Sequence, residues 1–212
     1  MSPPAEPRST GSSTDPSPTI PFDELEFAIL SITHDLSSFR CRDPELTAFL
    51  HDDSLINQDH KVSATTLVFW QGELVGFFTL INDCIEREVM QKRDRKHGFR
   101  YNHYPAMKIA RLATHADYER RGIGTNMISM IYVVYNRLSR YSGCRVITVD
   151  AKLDAVEFYK KFGFHEIRST TRGRAHYQSV DSKLLYLNYT VILDQLQRDQ
   201  VSLATFEGQE SQ

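Results

Sequence analysis

One short run in the sequence has the residue types to bind an anion: Arg120-Arg121-Gly122-Ile123-Gly124-Thr125. It lies between a stretch that reads as a strand, Ala106 to Thr114, and a stretch with helical apolar spacing at Met127, Ile131, Val134, Tyr135 and Leu138. A loop that opens a helix leaves the first amides without intrahelical acceptors. An anion placed there gains several N–H donors and the positive end of the helix dipole. The glycines let the backbone approach a phosphate, and Arg120 and Arg121 add charge suited to a diphosphate. Two nucleotide motifs are excluded, because a Walker loop needs Gly-Lys-Ser/Thr and a dinucleotide fingerprint needs a third glycine where Met127 stands. A glycine pair that merely permits a tight turn is the competing reading of this loop.

The elements that must hold this loop follow from the pattern around it. Phe27 to Ile32 reads as a strand. Asp43-Pro44-Glu45 reads as an N-cap with proline at the first helical position, followed by Leu46, Phe49 and Leu50 at helical spacing and a second short helix over 53–59. Ser63 to Trp70 and Leu74 to Ile81 form a hairpin across Gln71-Gly72-Glu73. Asn82 to Pro105 is a polar surface loop or a short helix ending near Gly98. After the strand, loop and helix already described come a strand at Arg145 to Val149, a helix from about Leu153 to Phe162, a break at Gly163 and a strand from Phe164. A last strand spans Leu184 to Ile192, and Gln195 to Gln212 reads as a polar tail. Strands cluster early and then alternate with helices, which predicts a mixed α/β class with one central sheet. The early hairpin argues against a doubly wound topology.

The chain has 212 residues, 25% of them charged, and a net charge of -2, so it is not a strongly basic nucleic-acid binder as a whole. Six of its eight prolines fall within the first 21 residues, among Ser and Thr, which predicts a disordered tail over 1–21, one domain over 22–194 and a C-terminal tail over 195–212. Cys41, Cys84 and Cys144 have neither disulfide nor zinc spacing, so no metal is expected. With no signal-peptide core and no apolar run of bilayer length, the expectation is a cytoplasmic protein without membrane contact.

A second motif decides between readings of the glycine loop. Ala155, Phe158, Tyr159, Gly163 and Phe164, together with Gly122 and Gly124 upstream, resemble the two-part signature of the GNAT family of N-acetyltransferases. Glu119 and Lys152 depart from that signature, standing where Gln or Arg and Asn are usual. The resemblance implies a single GNAT-like α/β domain with a mixed twisted sheet of six to seven strands flanked by about four helices. It also implies acetyl-CoA as cosubstrate, its diphosphate on the backbone of Arg121, Gly122, Ile123, Gly124 and Thr125 with Arg120 beside it. The pantetheine arm would pair with the backbone of Leu112, Ala113 and Thr114. An amine that attacks a thioester expels a thiolate, and a phenol with pKa near about 10 can protonate it, the role the resemblance implies for Tyr159. Glu86, Glu88, His115 and Asp150 are the candidates for the base that accepts the amine proton.

The segments Phe39-Arg40-Cys41, Thr65 to Phe69 and Ile109 to Ala113 further resemble a subgroup of toxin-type and related housekeeping acetyltransferases. Lys92, Arg93, Arg95, Lys96 and Arg100, with Phe99, Tyr101 and Tyr104 to stack on bases, form a candidate RNA contact. The main expectation is direct transfer of an acetyl group to a primary amine. Acetylation of aminoacyl-tRNA, a non-catalytic acyl-CoA-binding or interaction module, and a homodimer stay open.

Overall fold

The computed structural model describes residues 18–168 and 181–198. The hairpin forms as its turn residues demand. Gln71 and Gly72 both take positive φ, +52° and +83°, the primed two-residue turn whose twist matches that of the strands it joins. The turn connects β2 (Ala64–Trp70) to β3 (Glu73–Glu86), and β1 (Leu25–Ile29) pairs antiparallel with β2. Beyond β3 the chain crosses two short 3-10 turns and returns as β4 (His103–Thr114), antiparallel to β3. The sheet is completed by β5 (Val146–Lys152), β6 (His165–Glu166) and β7 (Ser182–Asn188), in the order β1-β2-β3-β4-β5-β7-β6, with β4 and β5 the parallel pair. This is the expected mixed α/β sheet, with seven strands among the described residues.

Asp43 caps α1 (Pro44–Ala48) by accepting from the Glu45 amide at 3.0 Å, with Pro44 at the first position. A π-turn at Phe49–Asp53 continues α1 into α2 (Ser54–Asp59), so the two expected helices form one bent rod. One sheet face is covered by α3 (Ile123–Leu138), α4 (Val156–Lys161) and α5 (Tyr189–Arg198), where Met127, Ile131 and Tyr135 pack with Phe78, Met107, Ile147 and Leu187. On the other face α1 and α2 cover Leu67 and Phe77, while the segment after β3 covers Ile85, Tyr104 and Tyr186. Between those two apolar clusters the sheet carries polar pairs: Thr65 with Thr79, Asp83 with Thr148, and Lys108 with Asp150.

Several boundaries differ from the sequence reading. The first strand ends at Ile29, because Leu30 N donates to Thr65 O and the chain then turns through a bond from Ser31 N to the His34 ring. Asn82 to Pro105 is no simple loop, since both its ends extend the β3–β4 ladder and Asp94 anchors its middle. The Asp94 carboxylate accepts from the Tyr186 hydroxyl at 2.6 Å and the Asn188 amide at 3.2 Å. The last apolar run splits at Asn188, and Tyr189–Arg198 is helical. Short apolar runs do not distinguish strand from helix by period alone. Ile20, inside the stretch 1–21 expected to be a tail, is 2% exposed and belongs to the α3 core. The rest of that tail, 1–17, and 199–212 lie outside the described residues. No described helix is long and apolar enough to cross a membrane.

Candidate functional site

The site begins with a flaw in β4. Thr79 pairs with Arg111 and Leu80 with Ile109, so Ala110 is an extra, bulged residue that bends β4. Pairing of β4 with β5 stops at the same place: Ile109 meets Val149, and from Asp150 onward β5 pairs with β7 alone. The two parallel strands therefore splay, leaving one edge of β4 open from Ala110 to Thr114. His115 N donates to Val75 O at 2.8 Å, so by the alternation of an antiparallel ladder Arg111 and Ala113 face β3. Leu112 and Thr114 turn their N–H and C=O groups to the open edge. A cavity of about 1430 Å³ fills the splay and reaches from α1 to the start of α3.

The glycine loop closes one end of this cavity. Gly122 is the N-cap of α3 at φ +81° and no side chain caps the helix. The first intrahelical bond runs from Asn126 N to Gly122 O at 3.1 Å, which leaves the Ile123, Gly124 and Thr125 amides for an anion. Gly124 is held by packing: a Cβ there would stand 3.3 Å from two ring carbons of Phe158, so the two halves of the sequence signature touch. Arg120 and Lys161 are exposed on the cavity lining and form no ion pair among the described residues. Arg121 behaves differently from expectation. Its guanidinium lies over Trp70 at 4.5 Å and over Tyr118 at 5.6 Å and donates to Pro18 O, so its side chain is not among the cavity's lining residues.

Tyr159 enters the cavity from α4, which ends when Gly163 takes φ +85° and Phe164 N returns to Tyr159 O. Phe158 and Phe164 pack edge-on against its ring, and the residue is 6% exposed. Burial pushes its phenol well above the ordinary tyrosine value of 10.0, so it carries its proton at any physiological pH. Its hydroxyl has no hydrogen-bond partner among the described residues. An open strand edge, free helix amides and a protonated phenol thus border one cavity.

A family model described as an acetyltransferase (GNAT) domain matches residues 63–166, which hold the hairpin, the splay, the glycine loop and Tyr159. That match assigns residues 63–166 to the GNAT acetyltransferase family. Several solved structures share its fold. AtaT complexed with acetyl-methionyl-tRNA superposes at TM-score 0.70 with 20% identity, over 81% of this chain and 99% of that one. A Tyr-to-Phe mutant of KacT gives TM-score 0.70 and 20% identity over the same shares. AtaTR bound with acetyl-CoA gives 0.66 and 21%, over 82% of this chain and 99% of that one. No curated protein matches the chain in sequence.

Of the four candidate bases in this GNAT domain, only Asp150 lines the cavity, in an ion pair with Lys108 at 2.6 Å. Glu86 pairs with His103 at the far end of β4, about 20 Å along the strand from Ile109. Glu88 lies beyond it. His115 is a packed side chain: Nδ1 accepts from Asp117 N, Nε2 sits 3.2 Å from Ser38 O, and Phe39 and Tyr118 flank the ring. The two departures from the signature both find partners, Glu119 with Arg42, and Lys152 with Asp43 and Glu45 across the cavity mouth. The Lys152 ammonium beside Asp43 holds that carboxyl below its ordinary range.

None of the basic cluster lines the cavity. Lys92, Arg93, Lys96 and Arg100 are exposed, whereas Arg95 is tied to the Glu88 and Met90 carbonyls. Tyr104 is 1% exposed and stacks on Phe99, leaving Tyr101 as the open aromatic of the three. Sequence reasoning missed Thr19, Arg111, Lys161 and the Lys152–Asp43 bridge as parts of the cavity wall. Their residue types carry no motif. Among the described residues no group of His, Cys, Asp and Glu is placed to hold a metal.

Proposed function

We propose that the cavity binds acetyl-CoA and passes its acetyl group to a primary amine. The observation that carries this reading is the open β4 edge, which ends at the uncapped amides of α3. A pantetheine arm carries amides that can pair with Leu112 and Thr114 as a further strand would, and a diphosphate suits the amides of residues 123–125 with Arg120 and Lys161 beside them. When bound, acetyl-CoA supplies a thioester carbonyl open to a neutral amine. Tyr159 gives its proton to the departing sulfur as the C–S bond breaks. Asp150, through water, takes the proton that the amine nitrogen loses on forming the new C–N bond and then releases it to solvent, while solvent returns a proton to Tyr159, so the proton count balances. Arg111, which lies 4.9 Å over the Phe49 ring, borders the acceptor side.

Aminoacyl-tRNA is the second acceptor reading, favoured by the exposed Lys92, Arg93, Lys96 and Arg100 and by the likeness to AtaT complexed with acetyl-methionyl-tRNA. The test is a thiol-release screen of amines, peptides and charged tRNAs, run with the unmodified protein and Tyr159→Phe. Turnover that falls at least about tenfold in the variant while acetyl-CoA still binds supports the reading. Equal turnover removes the acid role of Tyr159, and binding without any turnover favours a non-catalytic acyl-CoA module.

A further inference from the structure

Three residues ahead of the first strand, Pro18 to Ile20, sit directly on the glycine loop. Ile20 N donates to Arg121 O at 2.9 Å, and Asn126 Nδ2 donates to Ile20 O at 3.0 Å. Arg121 Nε donates to Pro18 O at 3.2 Å. Those bonds grip the loop on both sides of Gly122, one residue before it and four after it. Between them Thr19 lies so close that a Cβ on Gly122 would stand 2.6 Å from Thr19 Cγ2, and Thr19 also lines the cavity. Ile20 anchors the whole segment in the α3 core, while Trp70 and Tyr118 fix Arg121 from the other side.

The loop needs such a support. Arg120 and Gly122 both hold positive φ, +62° and +81°, and a non-glycine residue in that region is unfavourable unless its surroundings impose it. We propose that Pro18–Ile20 is a built-in part of the donor site, a strap that holds Arg121 and Asn126 in place and so keeps the amides of residues 123–125 aimed at the diphosphate. The inference rests on the acetyl-CoA reading above and extends it to residues outside the matched family region, 63–166. Donors already fixed in their binding geometry lose little freedom when the ligand arrives, so loosening the strap acts on affinity for the diphosphate. The open β4 edge is held by β3 and does not depend on the strap.

The test separates those two parts of the ligand. Dissociation constants are measured for acetyl-CoA and for S-acetylpantetheine, which lacks the diphosphate, with the full chain, with chains lacking residues 1–17 or 1–20, and with Asn126→Ala. Removing residues 1–20 is expected to weaken acetyl-CoA about five- to tenfold relative to removing 1–17, and Asn126→Ala to weaken it similarly relative to the full chain. S-acetylpantetheine binding is expected to be the same in all four proteins. Equal acetyl-CoA affinity throughout overturns the proposal. So does a matching loss for both thioesters, which marks general damage to the domain. If the shorter chain fails to fold, Asn126→Ala decides alone. A full chain that binds neither thioester overturns the donor-site reading itself, an outcome distinct from a failure of the strap.

Discussion

Replacing Gly122 by alanine incurs two separable costs. An alanine at φ +81° loses about 1–2 kcal/mol to the left-handed backbone. Its Cβ would also meet Thr19 Cγ2 at 2.6 Å, a distance that forces a shift, and overpacking of this kind costs about 1–3 kcal/mol. The sum is about 2–5 kcal/mol for Gly122→Ala in the unmodified background. Thr19→Ala deletes the clashing methyl, and the Thr19 Cβ that remains lies at 3.9 Å, an ordinary contact. In that background only the backbone cost survives. A double-mutant cycle by urea denaturation should therefore show a coupling of about 1–3 kcal/mol, and the Gly122→Ala melting temperature should recover by at least about 2–4 °C when Thr19→Ala is added. The same loss in both backgrounds would refute the seating of Thr19 on Gly122 and leave the left-handed backbone as the whole reason for glycine at this position.

His115→Phe should cost about 1–3 kcal/mol, because it leaves Ser38 O and Asp117 N without their ring partners, and it should leave acetyl-CoA affinity unchanged. Urea denaturation and calorimetry check both halves, and lost affinity would return His115 to the site. Stability should also fall on the alkaline side. Burial raises the phenols of Tyr135, Tyr159 and Tyr186 above the ordinary 10.0, so from there upward the unfolded chain ionises while the folded chain stays protonated. That contribution is complete below the unfolded value and is lost as pH climbs toward the folded ones. Urea midpoints measured between about pH 8 and pH 11 should stay level and then drop, and a midpoint that holds to the upper limit contradicts the burial of these rings.

What was legible in the sequence were demands made by nearby backbone. Gly122, Gly124 and Gly163 announce a left-handed turn, a close approach and a helix stop, and each does that in the structure. Asp43-Pro44 announced the start of α1 for the same local reason. The strap was hidden because its partners lie more than 100 residues downstream, as in the bond from Asn126 to Ile20, and because a single isoleucine among prolines and serines does not look like core. The side chain of Arg121 was misjudged since its clamp, Trp70 and Tyr118, comes from a hairpin end and a 3-10 turn that no spacing links to the loop. Asp94 stands among five cationic residues with no spacing that marks it, yet Tyr186 and Asn188 on β7 make it the anchor of that segment. Contacts across a sheet leave no period along the chain.

On the function proposed above, the splay between β4 and β5 and the uncapped start of α3 hold one acetyl-CoA molecule. Amide NMR of the labelled protein, titrated with acetyl-CoA, tests it most directly. The largest shifts are expected at Leu112, Thr114, Ile123, Gly124 and Thr125, with the amides near Glu86 and along the Lys92 to Arg100 segment unmoved. Shifts gathered elsewhere, or none at millimolar acetyl-CoA, would contradict it.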